Sequence, residues 1–154
     1  MQYWGITDPG CTRTQNQDTY QIEALDRKSL ICVVCDGMGG AKSGNVASTL
    51  AVDVFVQEIK RSWVSDMDSD MIDQMLRGAV KLANFTVYDQ SMQFEEFTGR
   101  GTTLVAALIR GKDMTIVNVG DSRAYTINKD GVKQLTKDHS LVQMMIERGE
   151  LTPE

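Results

Sequence analysis

The run Leu30-Ile31-Cys32-Val33-Val34-Cys35, followed at once by Asp36-Gly37-Met38-Gly39-Gly40, constrains this chain more than any other stretch. Strand-forming apolar residues without alternation predict a strand buried on both faces. That strand delivers one carboxylate to its end, and glycines then turn the chain into a helix pattern. Glycine lets a backbone approach a ligand closely and adopt positive φ. An acid followed by bare carbonyls suits a hard divalent cation, Mg²⁺ or Mn²⁺. A strand-to-helix turn with no ligand is the other reading of this motif on its own.

The elements around it follow in order. Tyr3-Trp4-Gly5-Ile6-Thr7 reads as a first strand, closed by the turn signal Asp8-Pro9-Gly10. The polar segment Arg13-Thr14-Gln15-Asn16-Gln17-Asp18 leads into a half-buried strand at Thr19–Ile22, and Asp26-Arg27-Lys28 turns into the central strand. A helix capped by Ser43 or Asn45 is expected to about Arg61, with Val46, Ala47, Leu50, Ala51 and Val54 on its apolar face. A second, from Ser69 to about Gln90, carries the stripe Met71, Ile72, Met75, Leu76, Ala79, Val80 and Ala83. The pair is expected to cover one side of a sheet. Ser91–Gly99 reads as a polar connection. Strands at Gly101–Ile109, Met114–Val119, Ala124–Ile127 and Val132–Leu135 then predict a β-meander. Ser140-Leu141-Val142-Gln143 fits a capping box for a last helix, which Gly149 ends.

At 154 residues this is expected to be one domain with a sizeable core. A net charge of −5 argues against nucleic acid or an anionic membrane as the main partner, so any phosphate must be held by local cations. The chain opens directly into a strand-like segment and has no apolar run of spanning length, so a cytoplasmic protein is expected. Cys32-Val33-Val34-Cys35 matches C-x-x-C. In a strand, however, residues three apart face opposite ways, roughly 10 Å apart, whereas a disulfide needs Cα atoms within about 7 Å. Two reduced core cysteines are expected.

Four acids, Asp18, Asp36, Asp121 and Asp138, stand where strand patterns break. Acids gathered at one edge of a sheet repel each other unless cations are shared among them. A bound divalent ion lowers the pKa of its water, and a pair about 3.5–4 Å apart clamps an in-line displacement. Arg13 is then the fork for a planar set of phosphate oxygens. The residues point to metal-assisted hydrolysis of a phosphate ester.

Arg13-x-x-Asn16-Gln17-Asp18, Asp36-Gly37-Met38-Gly39-Gly40, Gly101-Thr102-Thr103, Gly120-Asp121-Ser122-Arg123 and Leu135-Thr136-x-Asp138-His139-Ser140 occur in the order found in PP2C-type (PPM) protein serine/threonine phosphatases. The chain resembles the bacterial branch of that family over nearly all of its length. The resemblance implies an α+β fold, a PP2C-like sandwich of two mainly antiparallel sheets flanked by helices. It implies hydrolysis of phosphoserine and phosphothreonine in proteins by a water activated by Mn²⁺ or Mg²⁺, two ions in the complete domain and a third in bacterial members. Asp36 would bridge two ions with the Gly37 carbonyl also ligating. Asp18 would hold metal-bound waters, Asp121 would serve the third ion, and Arg13 would bind the substrate phosphate. No phosphoenzyme is implied, and the cysteines need no catalytic role.

Two departures from the family pattern stand out. Some eukaryotic members carry a general-acid His where Met38 stands, so the leaving-group proton must come from elsewhere; His139 is expected to be structural. The family also runs on beyond this chain, into segments bearing two more metal-binding acids. Residues 1–154 therefore read as a single PP2C-like domain, incomplete at its C-terminus, with sheet edges open to self-association. Substrates of a Ser/Thr protein kinase are the implied partners. The alternatives are a non-catalytic fragment or phospho-binding module, a metal-dependent phosphohydrolase acting on small molecules, and a Cys32/Cys35 redox protein.

Overall fold

The computed structural model describes residues 1–39, 44–93 and 99–152. Two antiparallel strands open it, β1 (Asp18–Ala24) and β2 (Ser29–Met38), joined by the predicted hairpin turn. The Asp26 carboxylate accepts from the Lys28 amide at 2.8 Å, and the Leu25 amide donates to the Ser29 carbonyl at 2.9 Å. Two helices follow, α1 (Gly44–Ser62) and α2 (Ser69–Gln93), then β3 (Gly101–Thr102), β4 (Leu104–Arg110) and β5 (Asp113–Val119). The hairpin β6 (Tyr125–Asn128) and β7 (Gly131–Gln134) precedes the short helix α3 (Leu141–Glu147). The α+β class is as expected.

The main sheet is antiparallel in the order β1-β2-β4-β5, with β3 pairing the end of β2. Residues of β2 alternate: Ile31, Val33, Cys35 and Gly37 are buried. Ile31, Val33 and Cys35 join Phe55, Val52, Val56 and Ile59 of α1 and Ile72, Leu76, Ala79 and Ala83 of α2 in one core. The helix periodicities were legible because each helix buries a single stripe against this sheet face. Met71, placed in the α2 stripe by sequence, is instead 47% exposed.

Several expectations give way. The central strand is buried on both faces only at its start, where Ser29 and Leu30 are each 4% exposed; farther along, Val34 is 44% exposed on the face away from the helices. An apolar run shows that water is disfavoured on both sides, but a second layer is needed to exclude it. Tyr3–Thr7 forms no strand. It lies against Asp18, Tyr20, Ile22, Cys32 and Val34, all on the open face of the sheet and not along the β1 edge. The Tyr20 hydroxyl donates to the Gly5 carbonyl at 2.9 Å, and a Cβ at Gly5 would meet the Tyr20 ring at 2.2 Å. Alternation favours a strand only where a ladder partner is available, and Trp4 and Ile6 stay in water.

The predicted four-strand meander divides. β4 and β5 extend the main sheet, whereas β6 and β7 pair only with each other. Gly120, at φ 101°, makes the break, and a Cβ there would meet the Thr103 methyl at 2.7 Å. The capping box at α3 is half formed. Ser140 accepts from the Gln143 amide at 3.2 Å, but the Gln143 side chain turns forward to Glu147. Gly149 ends the helix at φ 73° as expected. Ser43, Gly40 and most of the Ser91–Gly99 connection lie outside the described residues.

Cys11, Cys32 and Cys35 are free. Burial pushes the Cys35 thiol up to about 12 and raises Cys32 as well. Neither is a ready thiolate, and the redox reading loses its chemistry.

Candidate active site

The site is built where β1 and β2 end together. The antiparallel register sets Asp18 directly opposite Asp36. Like charges in that position repel. The Asp36 carboxyl is held above its ordinary value of 3.8. Partial burial is the largest cause, followed by the charge of Asp18 and a side-chain hydrogen bond with it; the Arg13 guanidinium opposes the rise and Asp121 adds to it. Arg13, Asp18, Asp36 and Asp121 thus converge on one solvent-exposed edge.

Asp138 does not join them. Its carboxylate takes a fork of hydrogen bonds from Arg123, Nη2 at 2.6 Å and Nε at 2.9 and 3.1 Å. That pair holds its carboxyl below the usual range, and the Arg123 hydrogen bond is the main cause. The bidentate partner was hidden because a pattern break marks where an acid sits, not what it faces. His139 has the structural place expected of it. Its amide donates to the Gly120 carbonyl at 2.9 Å, and its Nδ1 lies 3.4 Å from the Gly120 amide.

Backbone geometry explains the glycines. Gly37 is buried, and a Cβ on it would meet the Gly44 carbonyl oxygen at 2.0 Å. The Gly37 carbonyl oxygen in turn lies 2.9 Å from where a Cβ on Gly44 would stand. The end of β2 therefore touches the start of α1 backbone to backbone. Gly39 has φ 132°.

Hydroxyls to which the sequence assigned no role hold these pieces. Ser48 is fully buried on α1 and donates to the Gln17 carbonyl at 2.6 Å, with the Thr19 hydroxyl 3.0 Å away. The same carbonyl accepts from the Gly37 amide at 3.1 Å. Asn16 accepts from the Asp18 amide at 3.0 Å and donates to Thr7 at 2.7 Å. On the other flank of Asp36, the Thr102 hydroxyl donates to the Asp36 carbonyl at 3.0 Å. Thr103 bonds both the amide and the carbonyl of Asp36. The one available signal was two threonines after a glycine, at the mouth of an apolar run.

Among the described residues no three carboxylates, imidazoles or thiols gather as a ready ligand set. What the edge offers a cation is the opposed pair Asp18 and Asp36, with the charge of Asp121 acting on Asp36. Two carboxyls sharing a hydrogen bond hold a proton between them or are bridged by a cation, and this donor set of hard oxygens fits Mg²⁺ or Mn²⁺.

The family model for protein phosphatase 2C matches residues 12–143. The chain belongs to that family. It is 35% identical to a serine/threonine phosphatase stp of Listeria innocua over 148 residues, which is 96% of this chain and 58% of that protein. The protein phosphatase PhpP of Streptococcus pneumoniae is 34% identical over 152 residues, 97% of this chain and 59% of the relative. Among solved structures, the serine/threonine phosphatase Stp1 from Staphylococcus aureus matches with a TM-score of 0.87 at 37% identity, covering 96% of this chain and 57% of that one. The chain thus spans a little under three fifths of the length of these relatives. The PP2C resemblance and the α+β fold class read from sequence both stand.

Proposed function

We propose that residues 1–154 are the N-terminal part of one PP2C-type catalytic domain, which hydrolyses phosphoserine and phosphothreonine in proteins with Mn²⁺ or Mg²⁺. The observation that carries this is the facing pair Asp18 and Asp36, with Arg13 and Asp121 converging on Asp36 at an open edge. Membership of the family and the names of its relatives support it. Coverage near 58% and the open sheet face support a domain that other segments complete.

In this reading, Asp36 and the Gly37 carbonyl would hold the catalytic ions, Asp18 would orient water beside them, and Asp121 would serve a third ion. Divalent ions held there would supply a hydroxide-like water near neutral pH and would neutralise charge on the phosphoryl group. Arg13 presents its guanidinium to the phosphate oxygens and binds the substrate there. Exposure of Arg13, Asp18 and Asp36 lets a phosphorylated side chain on another protein reach them. Met38, 56% exposed beside the site, has no proton to give, so the leaving alkoxide takes one from water. Substrates of a Ser/Thr protein kinase, in a bacterial cytoplasm, are the corresponding partners. The net charge of −5 argues against nucleic acid or an anionic membrane as a partner.

The test is Mn²⁺-dependent hydrolysis of p-nitrophenyl phosphate and of a phosphothreonine peptide, by this chain and by the chain extended to the length of its relatives. Asp36→Ala should abolish the metal-dependent rate in both; wild-type turnover in that variant would refute the assignment. The second reading, a phosphate-binding piece without turnover, is favoured by the partial coverage of the relatives. It predicts phosphopeptide binding with no hydrolysis by this chain, turnover appearing only at the length of the relatives.

A further inference from the structure

Thr103 is where the two flanks of the site meet. The β2–β4 and β2–β3 ladders share one register, with Val34 facing Val105 and Gly37 facing Thr102. That register places Asp36 opposite Thr103, in the break between β3 and β4. An unbroken antiparallel pair there would exchange two backbone hydrogen bonds. One survives, from the Thr103 amide to the Asp36 carbonyl at 2.9 Å. In place of the other, the Asp36 amide donates to the Thr103 side-chain hydroxyl at 2.9 Å. The Thr103 carbonyl lies 3.0 Å from the Thr102 hydroxyl, whose single proton it shares with the Asp36 carbonyl.

The same hydroxyl faces the second flank. Thr103 Oγ1 lies 2.6 Å from Ser122 Oγ, a contact that carries one proton between them, and Ser122 directly follows Asp121. The Thr103 methyl lies under Gly120. Thr103 is 3% exposed, so water does not compete for its hydroxyl. One oxygen atom thus ties the backbone of Asp36 to the loop that carries Asp121.

We propose that Thr103 is a positioning residue whose hydroxyl, with Ser122, sets Asp36 and the Asp121 loop in register for divalent-ion binding. The proposal rests on the metal-dependent reading given above. A valine at this position keeps the shape and the methyl packing but offers the Asp36 amide no acceptor. It frees the end of β2 and uncouples it from the Asp121 loop. Groups that orient metal-binding residues commonly change affinity about 10- to 100-fold when removed. Serine keeps the oxygen and loses only the methyl.

The test uses Thr103→Val, Thr103→Ser and Ser122→Ala, with folding checked by circular dichroism. Amide hydrogen exchange in metal-free protein reads the link directly. Exchange at Asp36 should accelerate about 10-fold or more in Thr103→Val and stay near wild type in Thr103→Ser. Mn²⁺ titration by calorimetry should show affinity falling about 10-fold or more in Thr103→Val, recovering in Thr103→Ser, and falling less in Ser122→Ala. Unchanged Asp36 exchange in a folded Thr103→Val protein would overturn the proposal. So would unchanged Mn²⁺ affinity despite faster exchange, or failure of Thr103→Ser to restore it. If Mn²⁺ binding to wild type does not depend on Asp36, the metal reading itself fails and takes the proposal with it. The exchange data then still report the link separately.

Discussion

At the scale of single residues, the site is a conflict held in place by its surroundings. Asp36 is forced opposite Asp18 by the hairpin register, and its carboxyl resists ionisation. A carboxyl whose folded pKa lies above its unfolded value stabilises the fold fully below the unfolded value, and loses that contribution as pH rises through the folded one. Asp36→Asn should therefore stabilise the metal-free protein at neutral pH by a few tenths to about 1 kcal/mol. The gain should vanish as pH falls below 3.8, the ordinary value for this group. Thermal melts in EDTA from acid to neutral pH read this directly, and a less stable variant at pH 7 would contradict the repulsion. Saturating Mn²⁺ should reverse the order, because only the wild type gains from binding, about 2.7 kcal/mol at a hundredfold excess over Kd. Arg13 acts from the other side. Arg13→Ala should raise KM for a phosphopeptide with little change in kcat, through loss of a charged contact of about 2 kcal/mol. An unchanged KM would remove Arg13 from phosphate binding. Asp18, Asp36 and Asp121 were legible because each stands where a strand pattern begins or breaks. Thr103 and Ser48 were not, since a buried hydroxyl leaves no mark in a hydrophobic pattern until its partner is known.

At the scale of elements, sequence pattern sufficed where an element packs one face against a neighbour and failed where it needed a partner. α1 and α2 are stripes that one core satisfies, and β1, β2, β4 and β5 are runs closed by turns. The Tyr3–Thr7 segment has the same alternation but no ladder, and β6–β7 pairs apart because Gly120 turns the chain away. What fastens that hairpin to the start of α3 is the fork from Arg123 to Asp138, a tertiary fact no periodicity encodes. Its consequence has the opposite pH sign to that of Asp36. Arg123 keeps the Asp138 carboxyl below 3.8, so its contribution is present above that value and lost as pH falls through the lowered one. Asp138→Asn should lower the melting temperature at pH 7 by about 2–4 °C. The deficit should shrink in acid below pH 3.8, where the wild type protonates as well. A deficit constant from pH 7 to pH 2 would show that shape, not charge, holds the hairpin.

At the scale of the whole molecule, all the helical cover of the main sheet lies on one side. Tyr20 and Val34 look out from the other face, with Trp4 and Ile6 exposed in the segment beside them. β1 and β5 are edges of the main sheet among the described residues. Apolar surface next to free strand edges favours pairing with another chain. The net charge of −5 works against it, and salt screens that charge. This chain by itself should therefore self-associate between about 1 µM and about 1 mM, more strongly at high ionic strength. Val34→Lys sets a charge on the open face at a side chain already 44% exposed. It should shift the equilibrium toward monomer while changing stability by no more than about 0.5 kcal/mol. Sedimentation at two salt concentrations decides the matter. A wild-type chain that stays monomeric throughout would mean that the open face and edges are adequately solvated as they stand. An associated Val34→Lys chain would place the contact at a strand edge, away from this face. Weakening with added salt would mean that complementary charges, and not apolar surface, hold the copies together.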